Sequence, residues 1–296
     1  MEKSPSKYIV LAGTFFTSLS SIIIRFSEAP ALVISAYRML FTSLMLLIPV
    51  MFNSHSEFKR ITKKEYGLCI LSGIFLALHF ATWISSIKMT TVANSTILVS
   101  CSPIFVALAN YFITKEKLGR KMAVGISMSL AGTIIIAMGA SKESASNMML
   151  GNILAFLGAI FVAGYLVLGG VARKSLSAGT YVLIVYFVST VVLFIMCIAS
   201  GIPVYPYSPK EFILFAALAF FCSILGHTVY NYMVKYVSST LISVSTLSEP
   251  IFASILALLI FNEIPSIYTL VGGMIIISGI FYYLVSQTKK INSINK

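Results

Sequence analysis

The chain contains no aspartate. Its nine acidic residues are all glutamate, and charged residues of either sign fill only 10% of 296 positions. There is no His-Glu-x-x-His, no Gly-x-Ser-x-Gly and no glycine-rich nucleotide loop, so an enzyme is not expected. The four cysteines, Cys69, Cys101, Cys197 and Cys222, form no Cys-x-x-Cys pair, and the three histidines lack metal-ligand spacing, so neither metal nor cofactor is implied. Nor does any segment show the alternating pattern of a membrane β-barrel. What is abundant is apolar surface: 58% of residues are hydrophobic and the mean hydropathy is +0.96. A water-soluble core cannot absorb that fraction.

Ten apolar stretches of the length needed to cross about 30 Å of hydrocarbon account for it. They run from Tyr8 to Phe26, Ala31 to Phe52, Tyr66 to Ile87, Val92 to Thr114 and Met122 to Ala140. The second five run from Met149 to Val171, Thr180 to Ser200, Phe212 to Val234, Thr240 to Phe261 and Tyr268 to Ser286. Short connections make sequential helices antiparallel and leave no room for a soluble domain. The +12 formal charge could suggest nucleic acid. Of the 21 Lys and Arg, however, 16 fall on one side of alternating connections: Lys59, Arg60, Lys63 and Lys64; then Lys115, Lys117, Arg120 and Lys121; then Arg173 and Lys174; with Lys3, Lys7, Lys235, Lys289, Lys290 and Lys296 completing that side. That is the positive-inside pattern, with both termini cytoplasmic and the bilayer, not nucleic acid, as the partner. The first stretch imitates a signal peptide, but its length and its place in a repeat argue that it is retained.

The repeat appears when the chain is shifted by 147 residues. Lys88 falls on Lys235, Pro103-Ile104-Phe105 on Pro250-Ile251-Phe252, Glu116 on Glu263, Gly125 on Gly272 and Gly132 on Gly279, without a gap. Five helices per copy is an odd number, so the second copy enters the membrane inverted. The expected fold is an all-α membrane protein of ten transmembrane helices in two inverted five-helix repeats, residues 1–147 and 148–296. Two such halves can exchange conformations around a central site.

Ionisable groups at membrane depth cost about 3 kcal/mol each on insertion scales, so each needs a partner or a wet cavity. Glu249 is the one acid within the predicted spans; it lies nine residues beyond Thr240, about 13.5 Å at helical rise and near the midplane. Pro250 follows and cannot donate a backbone bond, so Glu249 stands where the helix is locally opened and is a candidate proton-coupling group. Pro103 marks the equivalent helix break in the first half. Arg38 has two competing roles, binding a substrate carboxylate or pairing with Glu249. Arg25 is expected to snorkel and to pair with Glu28. Ser72, His79, Trp83 and Ser86 form one inward stripe, and His227, Tyr230 and Asn231 form the comparable cluster in the second half, placing one polar cluster on each side of Glu249. Trp83 and Tyr230 align across the repeat and can stack on a solute. Asn94 shares a face with Cys101 and marks a further cavity candidate.

These residues carry a resemblance: Ala29-Pro30 with Tyr37-Arg38, Pro103-Ile104-Phe105 with Glu116-Lys117-Leu118, and Gly226-His227 with Glu249-Pro250 and Glu263. The chain resembles EamA-type members of the drug/metabolite transporter superfamily over nearly its whole length, with Ile264-Pro265 departing from the Lys117-Leu118 of the first copy. The resemblance implies a secondary transporter of the cytoplasmic membrane that exports small metabolites such as amino acids. It fixes no single solute. A translocase of a lipid-linked or amphipathic substrate is the alternative, and an intramembrane lipid-modifying enzyme has least support. Ten spans suffice to enclose a cavity, so a monomer is expected.

Overall fold

The computed structural model describes residues 9–114, 120–142, 146–233, 246 and 248–294. Among the described residues every regular element is helical. The order is α1 (Ile9–Phe26), α2 (Ala31–Phe58), α3 (Lys63–Met89), α4 (Val92–Val99), α5 (Ser102–Thr114), α6 (Arg120–Lys142), α7 (Ser146–Ala172), α8 (Ala178–Ala199), α9 (Pro209–Met233), α10 (Glu249–Phe261) and α11 (Ile267–Ile294). Six segments are long and apolar enough to cross a membrane: Ala31–Phe58, Lys63–Met89, Val92–Ala109, Asn147–Ala172, Ala178–Ala199 and Pro209–Met233. Shorter apolar runs occupy Ala12–Phe26, Ala123–Ile136, Glu249–Phe261 and Ile267–Tyr282.

Helix ends extend beyond the apolar runs because polar residues cap them. Thr62 Oγ1 accepts the Glu65 N–H at 3.3 Å while a Glu65 carboxylate oxygen accepts the Thr62 N–H at 2.8 Å, a reciprocal pair that starts α3 ahead of Tyr66. Two predicted spans are irregular. The stretch from Val92 to Thr114 is divided at Ser100 and Cys101, and α5 restarts with Pro103 at its second position, where a missing N–H costs nothing. Within α9 the residues Leu218–Thr228 wind as a π-helix, a wider turn that re-aims the side chains it carries. Of the predicted span from Thr240 to Phe261, residues 240–245 and 247 lie outside the described residues. Its described helix begins at Glu249 and ends at Asn262, whose left-handed φ of 55° closes the last turn.

The outer surface is greasy. Ile48, Phe187, Ile198, Leu259 and Met274 are each at least 61% exposed, a surface that suits lipid and not water. Inside, hydroxyls satisfy themselves on the preceding turn: Thr42 donates to the Arg38 carbonyl, Ser43 to Met39 and Thr96 to Val92. The most extensive helix pairings are α3 with α7, α6 with α11, α2 with α8 and α1 with α9. The α6–α11 crossing depends on glycine. A methyl on Gly132 would lie 2.5 Å from the Gly272 carbonyl oxygen, and one on Gly272 would lie 2.6 Å from that of Gly132.

One end of the bundle is tied by charged groups. Glu263, just past α10, accepts the Val92 N–H at the start of α4 at 2.6 Å and pairs with Arg25 at 3.2 Å. Arg25 therefore reaches across to the second half and does not pair with Glu28, which instead lies 3.9 Å from Lys210 in the open. Lys88 donates to the Ser27 carbonyl at 2.8 Å, and buried Glu211 accepts from the Ser27 hydroxyl and, at 2.8 Å, from the Glu28 N–H. At the opposite end Glu57 accepts the Ser177 N–H and the Thr180 hydroxyl, both at 2.6 Å, joining α2 to the start of α8.

Candidate functional site

Where α3, the α4–α5 break, α7, α9 and the start of α10 converge, a cavity of about 90 Å³ opens. His79 and Trp83 come from α3, Ser100 and Pro103 from the broken helix, His227 and Tyr230 from α9, and Glu249 from the first residue of α10. Val162 and Leu166 of α7 supply an apolar wall. The site is thus built from both copies of the repeat read in the sequence.

The polar groups are held from behind. Nδ1 of His79 lies 2.9 Å from the Gly158 carbonyl on α7, and its ring stacks on Trp83 with centroids 5.9 Å apart. The approach of α7 to this pair is close: a methyl on Gly158 would meet Trp83 Cβ at 3.4 Å. His227 packs edge-on against Phe80 at 5.8 Å and against Tyr230 at 6.1 Å. Both histidines line one cavity together with Glu249, and both rings pack on Phe80. The Tyr230 hydroxyl donates to Thr14 at 2.8 Å and lies 3.2 Å from that of Thr17, which donates to a Glu249 carboxylate oxygen at 3.3 Å. This chain fixes Glu249 from α1 while leaving it partly open to the cavity.

Other sequence candidates lie apart from the lining. Asn94 is buried at the foot of α4, where its Oδ1 accepts the Thr269 hydroxyl of α11 at 2.6 Å. Asn231 donates to the Tyr165 hydroxyl at 2.7 Å and to the His227 carbonyl at 2.9 Å, buttressing α9 against α7. Pro250 faces a separate apolar groove between α4, α10 and α11. Arg38 is fully buried behind Phe80 and makes no ion pair with Glu249; its Nε donates to the Ser223 hydroxyl at 2.9 Å. Sequence reasoning missed Thr14 and Thr17, which cap no predicted element, and Val162 and Leu166, which carry no polar signal. The hydroxyl run Thr14, Thr17, Ser18 and Ser21 on α1 was the available clue, since it recurs at helical spacing.

The arrangement offers aromatic faces, imidazoles, hydroxyls and one carboxyl group inside an otherwise apolar bundle. That suits reversible binding of a small molecule with apolar and polar parts. A solved structure matches 93% of this chain and 95% of its own length with a TM-score of 0.66 at 17% identity, a likeness of fold. An uncharacterized transporter of Archaeoglobus fulgidus is 28% identical over 220 residues, 73% of this chain and 74% of that one. The pseudopaline exporter CntI of Pseudomonas aeruginosa is 24% identical over 290 residues, 97% of this chain and 98% of its own. The EamA-like transporter family matches twice, over residues 6–138 and 149–285. With its apolar helices and this double match, the chain is a multi-pass membrane protein that belongs to the EamA-like transporter family.

Proposed function

We propose that the chain is a secondary transporter that exports small metabolites, such as amino acids or their analogues, across the cytoplasmic membrane by alternating access, with Glu249 as the proton-coupling group. The observation that carries this reading is the cavity itself: residues of both halves converge on it, and its one carboxyl group sits at a helix start held by Thr17 of α1. A carboxyl held by a hydroxyl and open to a cavity can gain and lose a proton as its surroundings change. Export is supported by the relative whose name is an exporter.

The proposed topology is ten spans in two inverted repeats, 1–147 and 148–296, working as a monomer. Four shorter apolar runs beside the six long ones support the number. The inversion is supported by packing that survives exchange of the halves under the 147-residue shift. The close contact of Gly132 with Gly272 becomes that of Gly279 with Gly125, whose carbonyl oxygen lies 3.1 Å from a methyl built on Gly279. The charge pattern puts both termini in the cytoplasm and the Arg25–Glu263 end outside. In this orientation the structure fits a state closed to the exterior.

In proteoliposomes, Glu249→Gln is expected to fold and to bind solute but to lose the pH dependence of transport. A pH profile identical to that of the natural chain removes Glu249 from coupling.

A further inference from the structure

Behind the cavity lies a charge whose hydrogen bonds are unfinished. Arg38 is fully buried, and the single bond from its Nε to Ser223 fixes the guanidinium plane, yet Nη1 and Nη2 have no partner among the described residues. Its Cζ sits 4.3 Å from the centroid of the Phe80 ring. The same ring packs against His79 at 5.1 Å and His227 at 5.8 Å, both of which line the cavity. Phe80 therefore stands behind the two imidazoles, between them and the guanidinium. On the cavity side Trp83 Nε1 is likewise without a partner among the described residues.

A guanidinium does not shed its proton, and an uncompensated charge in a bundle surrounded by lipid is costly. The two unmade bonds of Arg38 form a planar fork, the shape that a carboxylate accepts with two parallel hydrogen bonds. The unmet groups at this site are donors, so the solute that completes them is an acceptor. A π–cation contact is a modest attraction that a full ionic pair outcompetes, so the Phe80 ring can be displaced by an arriving anion.

We propose that Arg38 is the anion-recognition group of this transporter, and that the solute class is small carboxylates with an apolar or aromatic body. The carboxylate docks on Nη1 and Nη2 once the Phe80 ring turns aside, while the body of the solute lies against Trp83 and Tyr230. The proposal rests on the reading of the cavity as the transport site.

Trp83 is the only tryptophan in the chain, so its emission reports on this cavity alone. The test titrates the purified full chain with 3-phenylpropionate and N-acetylphenylalanine, and in parallel with the corresponding uncharged amides. The carboxylates are expected to change Trp83 emission saturably and to bind at least about thirtyfold more tightly than the amides, the preference expected when a buried charged hydrogen-bonding partner is lost. Arg38→Lys, which keeps the charge but not the fork, is expected to abolish that preference, and Phe80→Leu to keep the preference and tighten carboxylate binding. Equal affinity for acid and amide, or a preference that survives Arg38→Lys, overturns the role of Arg38 and leaves the cavity assignment standing. A flat titration with both sets overturns the cavity assignment and this proposal together. The acid–amide comparison in the natural chain decides the matter without any variant.

Discussion

Tyr230 shows how a single hydroxyl can organise a membrane site. It reaches from α9 to two hydroxyls of α1, and through Thr17 it is one bond from Glu249. Tyr230→Phe keeps the ring and its cavity face but leaves Thr14 and Thr17 to their own helix carbonyls, which both already reach. The expected cost is about 1 kcal/mol of stability, read as a lower thermal midpoint in detergent, with the fold retained. A midpoint equal to that of the natural chain means that the helix carbonyls alone satisfy the two threonines. Glu249 and the cavity aromatics were legible in the sequence because a charge or a ring at membrane depth stands out against an apolar background. Their partners were not. Threonine on a helix reads as a self-satisfied hydroxyl until a distant side chain is placed beside it, and the Arg25–Glu263 pair joins residues 238 positions apart.

At the scale of elements, the apolar windows located the helices well and their ends poorly. Hydropathy marks the part of a helix that lies in hydrocarbon, whereas the helix continues until a cap or a proline stops it; α2 runs on to Phe58 and α3 begins at Lys63 for that reason. The divided helix at Ser100 was signalled by Pro103, but the π-helical winding of Leu218–Thr228 had no marker in composition. The glycines of the last helix in each half pointed to tight packing, and the structure supplies the partner, each other. Gly132→Ala places a methyl 2.5 Å from a backbone oxygen that cannot rotate away, so α6 and α11 must separate. The expected loss is about 1–3 kcal/mol, measured by thermal or denaturant unfolding. An unchanged stability means that the two helices have room to part without loss.

For the whole molecule, the asymmetry of its two ends matters more than the count of its spans. Ties across the Glu263 end join the end of α1 and the start of α4 in the first half to α9 and the end of α10 in the second, and Lys88 of α3 braces Ser27 from within the first half. Glu263→Gln keeps the shape but removes the charge that holds Arg25 and the α4 amide, so this end is expected to open more often. Quenching of Trp83 emission by acrylamide should then rise severalfold over the natural chain. Quenching that does not change places the closure elsewhere.

The bond from Val92 to Glu263 comes from the main chain, and this shapes how the sequence can drift. Every residue except proline offers the same amide at the start of α4, so position 92 answers to selection only through the size of its side chain. Position 263 has less freedom, since a carboxylate meets the amide with one oxygen and the guanidinium with the other and also balances its charge. Among close relatives that keep this tie, substitutions should therefore accumulate at 92 while 263 stays acidic, and a change at 263 should be accompanied by one at 25.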